Sequence, residues 1–447
     1  MTACDLLIEG AWVLTCNPAM EVIPGGWVAV KGGRIWALGR PSEERPREAA
    51  DRIDAAGAIL LPGLVNAHTH LPMTLFRGLA DDLPLERWLN DFIFPAERLI
   101  LDPETVHAAA LLALAELALS GTTTCCDGYF HADAVAEAVL ASGLRAVVGQ
   151  GVIDGPAPGV PDPSQNLAAA EAFCDRWEGR SPRVRPSVFC HAPYTCSEQT
   201  LAGAKRLCAA RGLLFQTHAA ETRREREECL ARHGLSPIGL LERAGVLDER
   251  SLLHHAVWVD ASDLEILAHR GSAVSHNPES NLKLAAGIAP LPEMLSRGIP
   301  VGLGTDGSAS NNDLDLFGAM DLAAKVHKAA RLDPTAVSAA EILHLATRRG
   351  AQAIGLEAEI GAIEPGKQAD LVLLETRVPH LTPLHDPVSA VVYAARGADV
   401  RTVIVGGRRV VENGRLLSFD PAPAAARVEE AAASLRRLLS PLASGPA

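Results

Sequence analysis

The stretch Leu60-Leu61-Pro62-Gly63-Leu64-Val65-Asn66-Ala67-His68-Thr69-His70 is an apolar run that ends in His-x-His. Read as a strand it alternates its side chains, so His68 and His70 share one face, about 6–7 Å apart along the backbone. Two imidazoles that close, at the end of a buried strand, can hold a single metal ion. Pro62 and Gly63 mark where the strand begins, because proline is tolerated at a strand's first residue and not in its middle. Taken alone, the pair reads equally well as two solvated histidines, and the residues downstream decide between the two.

Outward from this stretch, short apolar runs alternate with amphipathic segments. The runs are Leu60–Asn66, Thr122–Cys126, Arg145–Gly149, Val184–Phe189, Leu213–Thr217, Ser251–His255, Ala273–His276 and Pro300–Gly304. Pro103–Leu119, Asp133–Ser142, Leu167–Trp177 and Ser262–Arg270 lie between them with helical periodicity. Eight strands alternating with helices over roughly 250 residues have the count and size of a (β/α)8 barrel. A doubly wound open sheet is disfavoured, since no Gly-x-Gly-x-x-Gly follows the first run. The runs end in polar residues: His68 and His70, Asp127, Gln150, His191, His218, His255, His276 and Asp306. A barrel gathers its strand C-termini on one face, which predicts that these residues converge.

The ends of the chain have a different texture. Leu6–Thr15, Trp27–Lys31 and Arg34–Leu38 are short alternating runs, the last two joined by a Gly32-Gly33 hairpin signal. After Ala351 the same style returns in Asp370–Glu375, Thr402–Val405 and Arg408–Val411. Neither group can bury both faces alone. The expectation is a (β/α)8 TIM-like barrel over 58–362, with a small β-sandwich domain built jointly by 1–57 and 363–447. Pro421–Leu439 has helical spacing and predicts a packing helix, with Ser440–Ala447 frayed beyond it.

Composition limits the function. At 447 residues, 48% hydrophobic and 21% charged, the chain is ordinary for a soluble protein. A net charge of −13 argues against a broad nucleic-acid footprint. No apolar stretch reaches the roughly 20 residues of a membrane span. Met1-Thr2-Ala3-Cys4-Asp5 has no basic region leading into an apolar run, and nine cysteines, an odd number, read as free thiols. A cytoplasmic location is expected.

Several polar residues carry the chemistry. His218, in Gln216-Thr217-His218-Ala219-Ala220-Glu221, can reach a metal held by His68 and His70. Asp306, in Gly304-Thr305-Asp306-Gly307, completes a three-His, one-Asp set with room for water, the pattern of a catalytic zinc site. His255 is placed to orient that water. His254 is expected to point to the other face by alternation. Glu221 can approach the centre without binding it, although a glutamate there also suits a helix N-terminus. Phe189-Cys190-His191 brings no lysine to bridge two metals, which favours a mononuclear site. Cys190 and Cys196 do not form a Cys-x-x-Cys pair, and Gly361–Lys367 lacks the Ser or Thr of a P-loop.

The sequence resembles the amidohydrolase superfamily, in particular the 5-methylthioadenosine/S-adenosylhomocysteine deaminase group of its chlorohydrolase-like branch. Pro62–His70, Arg77–Leu85, Pro95-Ala96-Glu97, Gly121–Thr124, His191–Ser197, His218–Glu221, Ser275–Pro278, Ser280–Leu284 and Gly304–Gly307 carry the likeness. The resemblance implies that His68, His70, His218 and Asp306 bind one zinc ion, or a similar divalent metal such as Fe2+ or Mn2+. It also implies that Glu97 and His191 contact substrate, with Glu97 on ribose hydroxyls and Trp88 available as a wall. The implied reaction is hydrolytic deamination of an adenine-type ring, with Glu221 as proton carrier and Asp306 and His255 supporting the hydrolytic water. The implied partner is a small nucleoside or another heterocycle, of triazine, guanine or pterin type, and assembly into a homo-oligomer is left open. One departure stands out: Gln150 occupies the position where relatives acting on S-adenosylhomocysteine carry a carboxylate-gripping arginine. Uncharged tails are therefore favoured, unless Arg176 or Arg180, or an arginine from a neighbouring subunit, restores that contact.

Overall fold

A computed structural model describes residues 3–443. Its strands, in chain order, are β1 (Cys4–Leu14), β2 (Val22–Lys31), β3 (Arg34–Gly39), β4 (Ala49–Asp54), β5 (Ala58–Pro62), β6 (Leu64–Thr69), β7 (Thr122–Tyr129), β8 (Arg145–Val152) and β9 (Val184–Cys190). They continue with β10 (Leu214–Ala219), β11 (Ser251–His255), β12 (Ala273–His276), β13 (Val301–Leu303), β14 (Leu371–Glu375), β15 (Val400–Val405), β16 (Arg408–Glu412) and β17 (Arg415–Leu416).

Strands β6 to β13 pair in sequence order, all parallel, as an eight-stranded sheet with helices between successive strands. Every residue of β6, β7, β8, β10, β11 and β12 is buried, as expected of strands covered by helices outside and side chains within. The first and last strands meet through side chains. The Asn66 amide donates to Thr305 Oγ1 at 2.8 Å and accepts from Thr305 N at 3.1 Å, while Asp306 N donates to the His68 carbonyl at 3.0 Å. The barrel is therefore fastened at the mouth where the histidines lie.

The opening stretch does not form one strand. Its first half, β5, pairs antiparallel with β14 and parallel with β1, and only from Leu64 does the chain enter the barrel. The break falls at Gly63, whose N–H donates to the Asp370 carbonyl at 2.8 Å. A Cβ at Gly63 would lie 2.0 Å from Thr123 Oγ1, so the chain can cross from one sheet to the other there only without a side chain. The run looks continuous because both halves are fully buried.

The two chain ends build one sheet in the order β17-β16-β15-β14-β5-β1-β2-β3, with β4 paired to β1. Its β3 edge is tied back to the segment before β14: Ile35 N donates to Lys367 O at 2.8 Å and Ala369 N to Gly33 O at 2.9 Å, while Gly407 N donates to Ala369 O at 3.0 Å. The enclosed core runs from Ile8, Val28 and Leu60 to Leu371, Leu373 and Ile404. Arg145, at the start of β8, pairs with buried Asp370 (Nε–Oδ2 3.0 Å) and ties this sheet to the barrel's closed end.

The helix Ala422–Ala443 follows the expected tail, and 440–443 continue it; 444–447 lie outside the described residues. Through Ala424, Val428, Ala431 and Leu435 it packs beside Met73, Phe76, Trp88 and Ile93, on the barrel's flank. No helix among the described residues is long and apolar enough to cross a membrane.

Gly63→Ala is expected to lower the unfolding free energy by roughly 2–3 kcal/mol, the cost of forcing an extra carbon into a packed crossing. Denaturant unfolding of Gly63→Ala with and without Thr123→Gly checks the cause, because removing the obstructing side chain should return part of the loss.

Candidate active site

Four barrel strands deliver a histidine and an aspartate cluster to one point. His68 lies near the end of β6 with His70 just beyond it, His218 is the penultimate residue of β10, His255 ends β11, and Asp306 follows β13. Two overlapping sets have ligand atoms close enough to share an ion: His68, His70 and Asp306, and His68, His218 and His255.

Hydrogen-bond bookkeeping shows that this cluster fits a cation. His70 Nδ1 donates to the Gly128 carbonyl at 2.6 Å, and His218 Nδ1 donates to the His191 carbonyl at 2.7 Å. Burial pushes both imidazoles below their usual pKa, so both are neutral and their Nε2 atoms carry bare lone pairs. Those two Nε2 atoms nevertheless face each other at 3.3 Å, a contact that lacks a proton to be a hydrogen bond. Asp306 Oδ1 stands 3.3 Å from His68 Nε2 and 3.4 Å from His70 Nε2, and both His68 nitrogens are buried without a hydrogen-bond partner. Lone pairs and an anion converging in a dry site cost several kcal/mol unless a positive charge sits among them. A divalent ion of the zinc type satisfies all of them, and histidine nitrogens with one carboxylate oxygen are its ordinary donors.

The surroundings aim these donors. Ser280 and Ser310 donate to Asp306 Oδ2 at 2.7 and 2.8 Å, leaving Oδ1 turned to the histidines. Burial alone would raise the Asp306 carboxyl, yet the His68 contact and the neighbouring imidazoles hold it well below the usual range. Asp127 Oδ1 accepts from Leu71 N at 2.6 Å and from Thr69 Oγ1 at 3.1 Å, fixing the turn that carries His70. Asp306, His255 and Ala220 all have φ between 53° and 75°, a conformation that non-glycine residues hold only when their surroundings enforce it.

The cluster lies at the floor of an open cleft. Phe189 lies in that floor, where a Cβ on Gly128 would meet its ring at 2.5 Å. Glu221, His191, Glu97 and Trp88 all border the same cleft. Burial raises the Glu221 carboxyl, partly countered by His255. Its backbone N–H and that of Ala220 donate to the Glu225 carboxylate at 2.7 and 2.9 Å. His191 Nδ1 donates to Thr195 Oγ1 at 2.9 Å, whose own hydroxyl donates to Ala192 O, so Nε2 is left as an acceptor. His255 Nδ1 donates to Asn281 Oδ1 at 2.8 Å, and its Nε2 is 3.9 Å from Asp306 Oδ2. Burial lowers the His255 pKa, but Glu221, Asp306, the Asn281 bond and Glu225 together lift it above the usual value.

Three residues fall elsewhere than expected. Gln150 does not border the cleft: Gly149 and Gly151 take the inward positions of β8, and the Gln150 amide accepts from Ala132 N at 3.2 Å and donates to Gly151 O at 3.2 Å. His276 ends its strand as predicted but pairs with His327 (Nε2–Nε2 3.0 Å), away from the cluster. His254 is not turned to the opposite face. It stacks on His68 with ring centroids 3.7 Å apart, because the left-handed backbone at His255 interrupts the strand alternation. Tyr129, Ser310 and Glu225 also shape the site without having been marked in the sequence, as do Ser280 and Asn281, which stood in a family-like stretch without a role. Glu225 lies three residues after Thr222 and looks like an ordinary capping-box partner, yet it bonds the turn before the cap.

A parallel eight-stranded barrel with a zinc-competent His/Asp cluster at its C-terminal mouth defines a class of metal-dependent hydrolases. The sequence profile of the Amidohydrolase family matches residues 59–410, and the chain belongs to that family. It is 46% identical over 418 residues to 5-methylthioadenosine/S-adenosylhomocysteine deaminase of Syntrophobacter fumaroxidans, covering 93% of this chain and 95% of that one. It is 44% identical over 432 residues to 5'-deoxyadenosine deaminase of Methanothermobacter thermautotrophicus, covering 96% and 99%. Among solved structures it is similar to an adenosine deaminase from Xanthomonas campestris with bound zinc, with a TM-score of 0.95, 37% identity and coverage of 98% and 99%.

The purified chain is expected to take up about one zinc ion per molecule. His218→Ala, which removes one donor of four, should lose most of that metal while keeping the native circular-dichroism spectrum. Elemental analysis after dialysis checks this, and full retention of zinc would remove His218 from the donor set.

Proposed function

We propose that the chain is a metal-dependent deaminase of adenine nucleosides that releases ammonia and leaves the 6-oxo purine. The observation that carries this reading is the convergence of His68, His70, His218 and Asp306 beside Glu221, whose carboxylate has no side-chain hydrogen bond among the described residues. The names of the relatives, 5-methylthioadenosine/S-adenosylhomocysteine deaminase and 5'-deoxyadenosine deaminase, support the substrate class.

His68, His70, His218 and Asp306 would hold the ion. When bound, it supplies a water whose pKa is lowered to about 7. Glu221, raised by burial and without a side-chain hydrogen bond among the described residues, takes a proton from the attacking water and gives it to the ring nitrogen. It then assists protonation of the departing amine. The C6–O bond forms, the C6–N bond breaks, and one water is consumed for each ammonia released. His255, steadied by Asn281, directs Nε2 at the reacting oxygen and stabilises charge that develops there. His191 offers Nε2, and Glu97 offers carboxylate oxygens, to polar edges of the substrate.

The cleft also indicates which 5′ tails are favoured. No lysine or arginine borders it among the described residues, whereas three carboxylates do. Arg176 and Arg180, the alternative grips for a tail carboxylate, are engaged with Asp133 and Glu137 at 2.6 and 2.7 Å. An amino-acid tail therefore finds no charged hydrogen bond, which is worth about 10–150-fold where it exists.

Ammonia release should give kcat/KM values for 5′-methylthioadenosine and 5′-deoxyadenosine at least about tenfold above that for S-adenosylhomocysteine. Turnover of triazines in place of every nucleoside would overturn the functional reading, and a preference for S-adenosylhomocysteine would overturn the tail reading alone. Separately, Glu221→Gln should keep fold and zinc content but lower kcat by about 10²–10⁴-fold or more, since the amide is nearly isosteric and carries no proton. A variant within tenfold of wild type would assign the proton to another group.

A further inference from the structure

Glu97 stands in the helix Phe94–Ile100, which follows a wide π-type turn at Trp88–Ile93. Its side chain is buried against the cleft among Trp88, Ile93 and Phe94, surroundings that solvate a carboxylate poorly. The donor found on it among the described residues is the phenol of Tyr129, whose hydroxyl donates to Glu97 Oε1 at 2.5 Å. Tyr129 is the last residue of β7, so its ring is anchored by the barrel itself and borders the same cleft. The second carboxylate oxygen, Oε2, carries no such bond.

We propose that Tyr129 is a positioning residue for nucleoside recognition, holding Glu97 so that it accepts hydrogen bonds from the two vicinal hydroxyls of the ribose. The inference rests on the proposed role of Glu97 and assigns what makes that role possible. A carboxylate accepts at both oxygens and can span two neighbouring hydroxyls, but only if its plane is fixed and its charge retained. One strong donor at Oε1 fixes the plane and leaves the in-plane lone pairs facing the cleft free. The donor must be short and unable to lose its own proton. Burial and then Glu97 itself push the Tyr129 phenol well above its usual pKa, so it remains a donor. Burial pushes the Glu97 carboxyl up to about 7, and the Tyr129 bond works against that rise. Without the phenol the side chain is freer to rotate and easier to protonate, and a protonated acid offers one fewer acceptor to the diol.

The test is Tyr129→Phe, assayed with adenosine and with 2′,3′-dideoxyadenosine. The expected result is a KM for adenosine raised about tenfold or more with kcat within about twofold, and a KM for the dideoxy compound that scarcely moves. In a Glu97→Gln background the same substitution should add little. Calorimetric binding of inosine against 2′,3′-dideoxyinosine carries the same expectation and needs no turnover, so it judges Tyr129 even if wild type released no ammonia from any nucleoside and the functional reading fell. The proposal is overturned if Tyr129→Phe weakens both nucleosides equally, lowers kcat at unchanged KM, or leaves adenosine unaffected.

Discussion

The barrel is closed by side chains placed next to its chemistry. The Asn66 amide grips Thr305, and the Asp306 backbone grips the His68 carbonyl, joining residues roughly 240 positions apart. Asn66 precedes His68 by two residues and Thr305 precedes Asp306 by one. The contacts that complete the cylinder therefore also set the distance between the first histidines and the aspartate. A buried amide that lost Thr305 would strand both its donor and its acceptor, so this seam tolerates little drift. The bare nitrogens can be held face to face because the scaffold, not the ion, fixes where they stand.

Holding them there has a structural cost, visible in the backbone. Asp306, His255 and Ala220 occupy left-handed conformations that side-chain-bearing residues usually avoid. Each lies at or just beyond the end of a strand whose hydrogen bonds hold the preceding residues rigid, and each is restrained again from the other side. Ser280 and Ser310 restrain Asp306, Asn281 restrains His255, and Glu225 restrains the turn at Ala220. The site is thus a set of strained turns, each held from two directions.

Much of this could be read in the sequence, for definite reasons. The eight apolar runs were visible because buried parallel strands are continuously apolar, and the polar residue closing each run marked the mouth. His70, His218, His255 and Asp306 stood at such ends, with Glu221 just beyond one, and border one cleft, while His68 lies buried against His70 and His218. What escaped was set by backbone geometry rather than residue type. Leu60–Leu64 looked like one strand because burial in two different sheets leaves the same apolar signature. His254 was misplaced because period-two alternation fails at a residue with φ of 75°. Gln150 occupied a plausible strand end, but whether it faced inward depended on a register that Gly149 and Gly151 decide. Tyr129 and Glu225 act through partners 32 residues away and one turn back, and their residue types give no hint of it.

The helix Ala422–Ala443 leans on the elements that wall the cleft, sharing a cluster with Trp88, Ile93 and Tyr129. The ends of the chain also interlock in one sheet, with β5 held between β1 and β14. For a chain emerging from the ribosome, this means that all eight barrel strands are made while the cleft still lacks its outer support. The apolar wall would stay loosely packed until nearly the last segment is synthesised. The cleft's outer wall thus depends on a helix that itself contributes no described residue to the cleft.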